Sequence, residues 1–199
     1  MTVRRRVLPF ASAIVLLLGS SAITSAAGTP STIAIDNFGR INAAYYRGAQ
    51  PQGRDYEDLA ALGVKTVIDL TATDEASADE PVAVANAGMK LVRIPLSTHD
   101  EPSSAAVARF LAVVNDPANQ PVYVHCQGGR HRTGALTAVY RMTHDGWAPD
   151  RAFAEMQQFK FGPAFLHTSL KNFVYGYTAA TQVAGTPAAA TPAKNAGSY

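Results

Sequence analysis

A single cysteine, one tryptophan and a charged fraction of only 16% constrain this sequence before any motif is sought. One cysteine in 199 residues excludes an intramolecular disulfide framework and any multi-cysteine metal site within one chain. Cys126 is therefore a lone thiol that needs its own account. So little charge beside 47% hydrophobic residues excludes a disordered polyelectrolyte and indicates a globular chain. A basic surface is lacking too. Three of the 17 basic residues, Arg4, Arg5 and Arg6, lie within the first ten positions, and the 14 that remain are outnumbered by 15 acidic ones. That balance excludes a general nucleic-acid binder. No internal repeat is evident, and the length fits one core with tails.

A run long enough for a permanent membrane span is also missing. Val7 to Leu18 is apolar but interrupted by Pro9, and it falls short of the ~20 residues a spanning helix needs. Three arginines precede it, and Ser25 and Ala27 stand at −3 and −1 of a cut before Gly28. This three-part layout predicts a secretory signal peptide at 1–27 and export, to a periplasm or outside the cell. Left uncleaved, the same segment is a membrane anchor. Val3 to Leu8 also resembles a twin-arginine signal, so both export routes stay open. Residues 28–35 are expected as a linker and 36–180 as the domain. The Ala-, Thr- and Pro-rich stretch 181–199 is expected as a flexible tail, because it has too few large apolar side chains to offset chain entropy.

Within 36–180, short β-branched runs alternate with longer helical ones, which predicts α/β architecture around a mostly parallel sheet of four to five strands flanked by helices. Strands are expected at Ala43–Arg47, Thr66–Leu70, Leu91–Pro95 and Val122–His125. Helices are expected at Asp55–Leu62 and Pro81–Ala87, stopped by Gly63 and Gly88, and at Ser103–Val114, Thr133–Thr143, Pro149–Phe159 and Phe165–Tyr177. Asp74, Glu75, Asp79 and Glu80 read as a solvated loop and helix start with no chemistry assigned.

The chemistry lies where strand Val122–His125 runs into Cys126-Gln127-Gly128-Gly129-Arg130-His131-Arg132 and then a helix. A thiol at a strand's carboxyl end and against a helix N-terminus meets converging backbone N–H groups. These cradle an oxyanion. The same field lowers a thiol pKa from ~8.5 toward the ~3.5 to 7.5 of reactive cysteines. The planar fork of Arg132 suits two oxygens of a phosphate.

The run His125-Cys126-x-x-Gly129-x-x-Arg132-Thr133-Gly134 resembles the signature of the cysteine-dependent protein tyrosine and dual-specificity phosphatases. Tyr46-Arg47-Gly48-Ala49-Gln50-Pro51, Asn119-Gln120-Pro121, Arg141 and Gly146-Trp147 extend the likeness to compact bacterial, fungal and plant members. The resemblance implies that Cys126 attacks phosphorus, and that Arg132 with the loop from Gln127 through Gly128, Gly129, Arg130 and His131 binds the phosphoryl oxygens. It implies that Thr133 donates to the sulfur, that His125 bonds the loop backbone and tunes the thiol, and that no metal or other cofactor is required. The general acid would come from an upstream loop, and Asp100, 26 positions before Cys126, is the first choice, with Glu101 and His99 as substitutes.

The substrate would be a phosphorylated protein or a small phosphorylated metabolite. Gly129 to Gly134 is also similar to the loop of fungal and plant atypical members that act on inositol pyrophosphates, with lysine where Arg130 stands. Gln127 and Gly128 lack that subgroup's further basic residue, and an exported protein would not meet cytosolic inositol pyrophosphates, so phosphomonoester hydrolysis ranks first, on phosphotyrosine and then phosphoserine or phosphothreonine in proteins, with inositol (pyro)phosphates or phosphoinositides as the alternative. Two other classes remain as rivals: a rhodanese-like sulfurtransferase, whose loop lacks the His-Cys opening and Arg-Thr-Gly ending, and a phosphate-binding module without turnover. Tyr46, Arg47, Gln50 and Pro51 either rim the pocket or simply end a strand. Asp69 is expected to be structural and Arg141 to brace the loop from behind. Trp147 is expected in the core, and His144 and His167 as partly exposed.

Overall fold

The computed structural model describes residues 33–178. The expected signal peptide at 1–27, most of the linker and the tail at 181–199 lie outside the described residues. Strands β1 Gly39–Asn42, β2 Tyr45–Gly48, β3 Thr66–Asp69, β4 Lys90–Arg93 and β5 Val122–His125 form one sheet in the order β1-β2-β5-β3-β4. β1 is antiparallel to β2, and every other pairing is parallel. The helices are α1 Asp55–Ala61, α2 Glu80–Asn86, α3 Ser104–Asn115, α4 His131–His144, α5 Pro149–Gln158 and α6 Thr168–Gly176.

The two-residue alternation of the strands builds two cores. Val122 and Val124 join Tyr45, Ile68 and Leu70 against α3, α4, α5 and α6. Tyr123 points the other way, joining Tyr46 and Val67 against α1 and α2 through Leu59 and Val84. Helix α4 is buried on all sides from Arg132 to Tyr140, the polar Arg132, Thr133 and Thr137 included, so its burial does not follow one apolar stripe. Gly63 and Gly88 stop α1 and α2 with φ of 85° and 75°. Ser103 caps α3, its hydroxyl accepting from the Ala106 N–H at 3.2 Å.

Beyond shifts of one or two residues, such as β4 ending at Arg93 instead of Pro95 and α4 starting at His131 instead of Thr133, the elements depart from the sequence reading in three places. β1 was not expected, because an edge strand needs only one inward apolar residue, here Ile41. The strand expected from Ala43 starts at Tyr45, since Asn42 Oδ1 accepts from the Ala44 N–H at 2.8 Å and holds a turn there. The expected Phe165–Tyr177 helix divides into a 3₁₀ turn, Ala164–His167, and α6, with His167 at φ −132° and ψ 51° between them. Among the described residues no helix is long and apolar enough to cross a membrane.

The register places the site. Gly48 of β2 and Asp69 of β3 both lie level with His125, the last residue of β5. Three parallel strands thus end together beneath the loop that begins at Cys126, at the carboxyl edge where open α/β sheets bind ligands.

Candidate active site

Three carbonyls of the Cys126 segment are bound by groups from outside it. His125 O accepts from the Leu70 N–H at 2.9 Å and Gln127 O from the Gln50 N–H at 3.1 Å. Gly129 O accepts from Arg47 Nη2 at 2.6 Å and from Asn37 Nδ2 at 2.8 Å. Because C=O and N–H oppose each other across a planar trans peptide, pulling carbonyls out turns N–H groups in. Gly129 is at φ 63°, and a Cβ there would collide with the backbone of Gly48 and Ala49. Gly134 has a packing reason, since a Cβ would come within 3.3 Å of Met156 on α5.

Cys126 lies at the floor, 3% exposed. Burial pushes its thiol pKa up, but the Thr133 hydroxyl, the Thr133 N–H, the Arg132 guanidinium and the Arg130 N–H together bring it below the ordinary thiol value. The N-terminus of α4 adds its dipole, which favours the thiolate form further. Thr133 is buried, and its carbonyl accepts from Thr137 Oγ1 at 2.7 Å, itself 2.9 Å from the Tyr45 hydroxyl.

Arg132 is buried on the first turn of α4. Nη1 donates to Glu75 Oε2 at 2.8 Å and to the Leu96 carbonyl at 3.3 Å, while Nε has no protein partner. Glu75 thus holds one end of the guanidinium and leaves the Nε edge to a ligand. Of the acidic stretch, Asp74, Glu75 and Asp79 are exposed as expected, but Glu80 is not. It is buried, and its Oε1 accepts from Gln50 Nε2 at 2.8 Å and lies 2.9 Å from His125 Nε2. A helix-start glutamate gives no sequence sign of such burial.

His125 is therefore corrected: its ring reaches Glu80, and Asp69 Oδ1 at 4.0 Å from Nδ1, and not the loop backbone. Asp69 is structural, as expected, its Oδ1 accepting from the Thr71 N–H at 2.8 Å. Asp69, Glu80 and His125 offer three metal-ligating atoms within 4.8 Å. Arg93, with Nε 3.4 Å from Asp69 Oδ2 and Nη2 3.8 Å from Glu80 Oε2, already stands there as the cation.

Three further expectations change. Arg141 binds Glu155 at 2.7 Å and Asp145 at 2.7 Å and lies over Trp147, tying α4 to α5 and not bracing the loop. Arg130 is exposed and pairs with Asp36 at 3.5 Å, a carboxylate that Lys160 also holds at 2.6 Å. His131 Nε2 lies 2.9 Å from the Phe161 carbonyl, with its ring against that of His167. His144 is exposed beside Asp145. Arg47, neither rim nor mere strand end, is fully buried beneath the loop. His99, Asp100 and Glu101 are all exposed, on the segment between β4 and α3. An open cleft of about 460 Å³ beside Gln50 is lined by Tyr56, Ser77, Asp79 and Glu80.

The profile of a family described as "DSP-PTPase phosphatase fused to NAD+ Kinase" matches residues 32–171. The chain is 29% identical over 134 residues to the inositol diphosphatase SIW14 of Saccharomyces cerevisiae, covering 65% of this chain and 47% of that protein. It is 32% identical over 128 residues to the dual specificity protein phosphatase TpbA of Pseudomonas aeruginosa, covering 63% and 56%. The chain thus spans about half the length of the curated relatives it matches. Among solved structures, the core catalytic domain of SIW14 superposes with a TM-score of 0.65 at 26% identity, over 74% of this chain and 89% of that one. A TpbA structure in complex with pTyr gives 0.63 at 27% identity, over 77% and 96%.

Proposed function

The chain belongs to the DSP-PTPase phosphatase family, and on that premise we propose that it hydrolyses phosphomonoesters, foremost phosphotyrosine in proteins, through a phosphocysteine intermediate. The observation that carries this reading is the buried Cys126 sulfur, its pKa lowered by the loop donors, Thr133 and Arg132. The thiolate attacks phosphorus and the bond to the leaving oxygen breaks. Loop N–H groups and the free edge of Arg132 bind the phosphoryl oxygens and offset the charge that builds on them. Asp100 gives its proton to the leaving oxygen. Water then attacks phosphorus, the P–S bond breaks, Asp100 takes the proton, and Thr133 stabilises the released thiolate. His125 acts from behind through Glu80.

The substrate ranking has physical support. A multiply phosphorylated ligand needs cations beyond Arg132. Arg130 is engaged by Asp36, His131 is turned to the Phe161 carbonyl, and Glu75 lies on Arg132 itself. The neighbouring cleft presents Asp79 and Glu80 and no basic side chain. Inositol phosphates form the second reading, favoured by the likeness to an inositol diphosphatase and by an Arg130 side chain 45% exposed. Export, with removal of residues 1–27, is supported by the arginine–apolar–small layout of the N-terminus.

Catalytic efficiency on phosphotyrosyl peptides, phosphoseryl peptides and inositol phosphates tests the ranking, and release of phosphate from none of them overturns the function. Highest efficiency on an inositol phosphate reverses the order. N-terminal sequencing of protein recovered outside the cytoplasm should begin at Gly28, and recovery of an intact chain with the cytoplasm removes export.

A further inference from the structure

Arg47 is a buried guanidinium without a carboxylate. Its side chain comes from β2, is fully buried, and rests with the guanidinium carbon 4.0 Å from the centroid of the Phe159 ring. Nη2 donates to the Gly129 carbonyl at 2.6 Å, while Nε and Nη1 have no partner. Among the described residues no acidic side chain forms an ion pair with it; the oxygens of Glu155 are taken by Arg141. Removing such a cation from water is costly, and an aromatic face returns only part of that cost. Burial draws the guanidinium pKa below its ordinary value, and the groups that draw it back are Tyr45, Glu155 and Cys126.

One peptide unit joins this cation to the thiol. Arg47 holds the carbonyl of Gly129, and the N–H across the same planar unit is that of Arg130, one of the backbone groups that favour the Cys126 thiolate. A positive charge at the carbonyl end polarises the N–H toward the anion at the other end. We infer that Arg47 is a positioning residue for the reaction, a second guanidinium sealed beneath the loop that fixes the Gly129–Arg130 peptide and keeps Cys126 ionised, its countercharge being the thiolate and then the bound phosphoryl group. Arg132 grips the anion from the open side, and Arg47 supports it through the backbone. This rests on reading Cys126 as the nucleophile.

Asn37 supplies an internal control, because its Nδ2 donates to the same carbonyl at 2.8 Å without charge. The other charged groups facing the thiol stay in place throughout: Arg132 with Glu75 from α4 and the acidic stretch, and His125 with Asp69, Glu80 and Arg93 behind β5.

The test is the pH dependence of Cys126 alkylation by iodoacetamide in the purified full chain, a readout that requires no turnover. Arg47→Gln, which keeps an N–H for the carbonyl but removes the charge, should raise the alkylation midpoint by about one pH unit. Arg47→Lys, which keeps the charge, and Asn37→Ala, which leaves Arg47 in place, should each stay within a few tenths of a unit of the unaltered chain. A folded Arg47→Gln variant with an unshifted midpoint overturns the inference. Should Arg47→Gln not fold, Arg47→Lys decides alone: a wild-type midpoint supports the charge, and a one-unit rise overturns it. Absence of phosphatase activity in the unaltered chain would refute the proposed function, whereas an unshifted midpoint in an active enzyme refutes only the role of Arg47.

Discussion

The loop at Cys126 and the loop carrying Asp100 differ in how firmly the fold determines them. The first has Cys126, Gly129 and Arg132 buried, and its carbonyls are bound from β2, from the segments that follow β2 and β3 and from Asn37, with one glycine forced by both φ and space. The second has His99, Asp100 and Glu101 exposed, and the His99 N–H donates only two positions back, to Ser97 Oγ at 3.0 Å. The contrast separates two tasks. An anion cradle acts by being preorganised, so rigidity is its function. A proton donor must approach a leaving group only once substrate is present, and catalytic contacts of that kind often form only in the complex.

The largest effect falls where chemistry can be removed without moving the cradle. Cys126→Ser should lower turnover by about ten-thousandfold or more. Inorganic phosphate or vanadate should still bind, because Arg132 and the loop donors remain; retained turnover would refute the role of the thiol. Gly129→Ala attacks the cradle itself. It forces a side chain into φ 63° against the Gly48 backbone, and should cost about 2 kcal/mol of stability or more together with anion affinity. Urea unfolding and phosphate titration measure the two losses, and a neutral outcome would mean the loop is less constrained than the adjacent chain.

The acid loop should respond oppositely. Asp100→Asn is expected to leave stability within about 0.5 kcal/mol, as for an exposed polar change. It should slow cleavage by about a hundredfold for poor leaving groups and much less for nitrophenyl phosphate. If Glu101→Gln or His99→Asn shows that pattern and Asp100→Asn does not, the acid is reassigned. A variant of this loop that lowers thermal stability strongly would remove the contrast altogether.

The same contrast explains what was legible in the sequence. The Cys126 loop could be read because its constraints are local: strand, thiol, glycines, arginine and helix follow one another within a dozen positions. Most of the sheet was legible for the same reason, since Val122–His125 and Thr66–Asp69 centre on the apolar runs Val122-Tyr123-Val124 and Val67-Ile68. What supports the loop arrives from elsewhere in the chain. Asn37 and Arg47 lie 92 and 82 positions from the carbonyl they bind, and Glu75 lies 57 from Arg132. Nothing around Glu80 distinguishes an acid that caps a helix from one buried against a histidine. Arg47 left a trace, a charge in the middle of Tyr45-Tyr46-Arg47-Gly48, which a fully buried strand tolerates only for a reason.

The smallest expected effect concerns the carboxylate behind the loop. Burial works to raise the Glu80 pKa, but His125, Gln50 and Asp69 together hold it below its ordinary value. A carboxylate depressed in the folded state stabilises above its unfolded pKa, ~4.3 for glutamate, and loses that contribution as pH falls through the folded value. The folded chain should therefore keep its stability from neutral pH down to about 4 and lose it below, with Glu80 as one contributor. Glu80→Gln removes that ionisation, so its melting temperature should fall less steeply with acid than that of the unaltered chain, although it starts lower at pH 7. Parallel curves would show that Glu80 does not titrate with unfolding. The support behind Cys126 would then be a neutral hydrogen-bonded assembly.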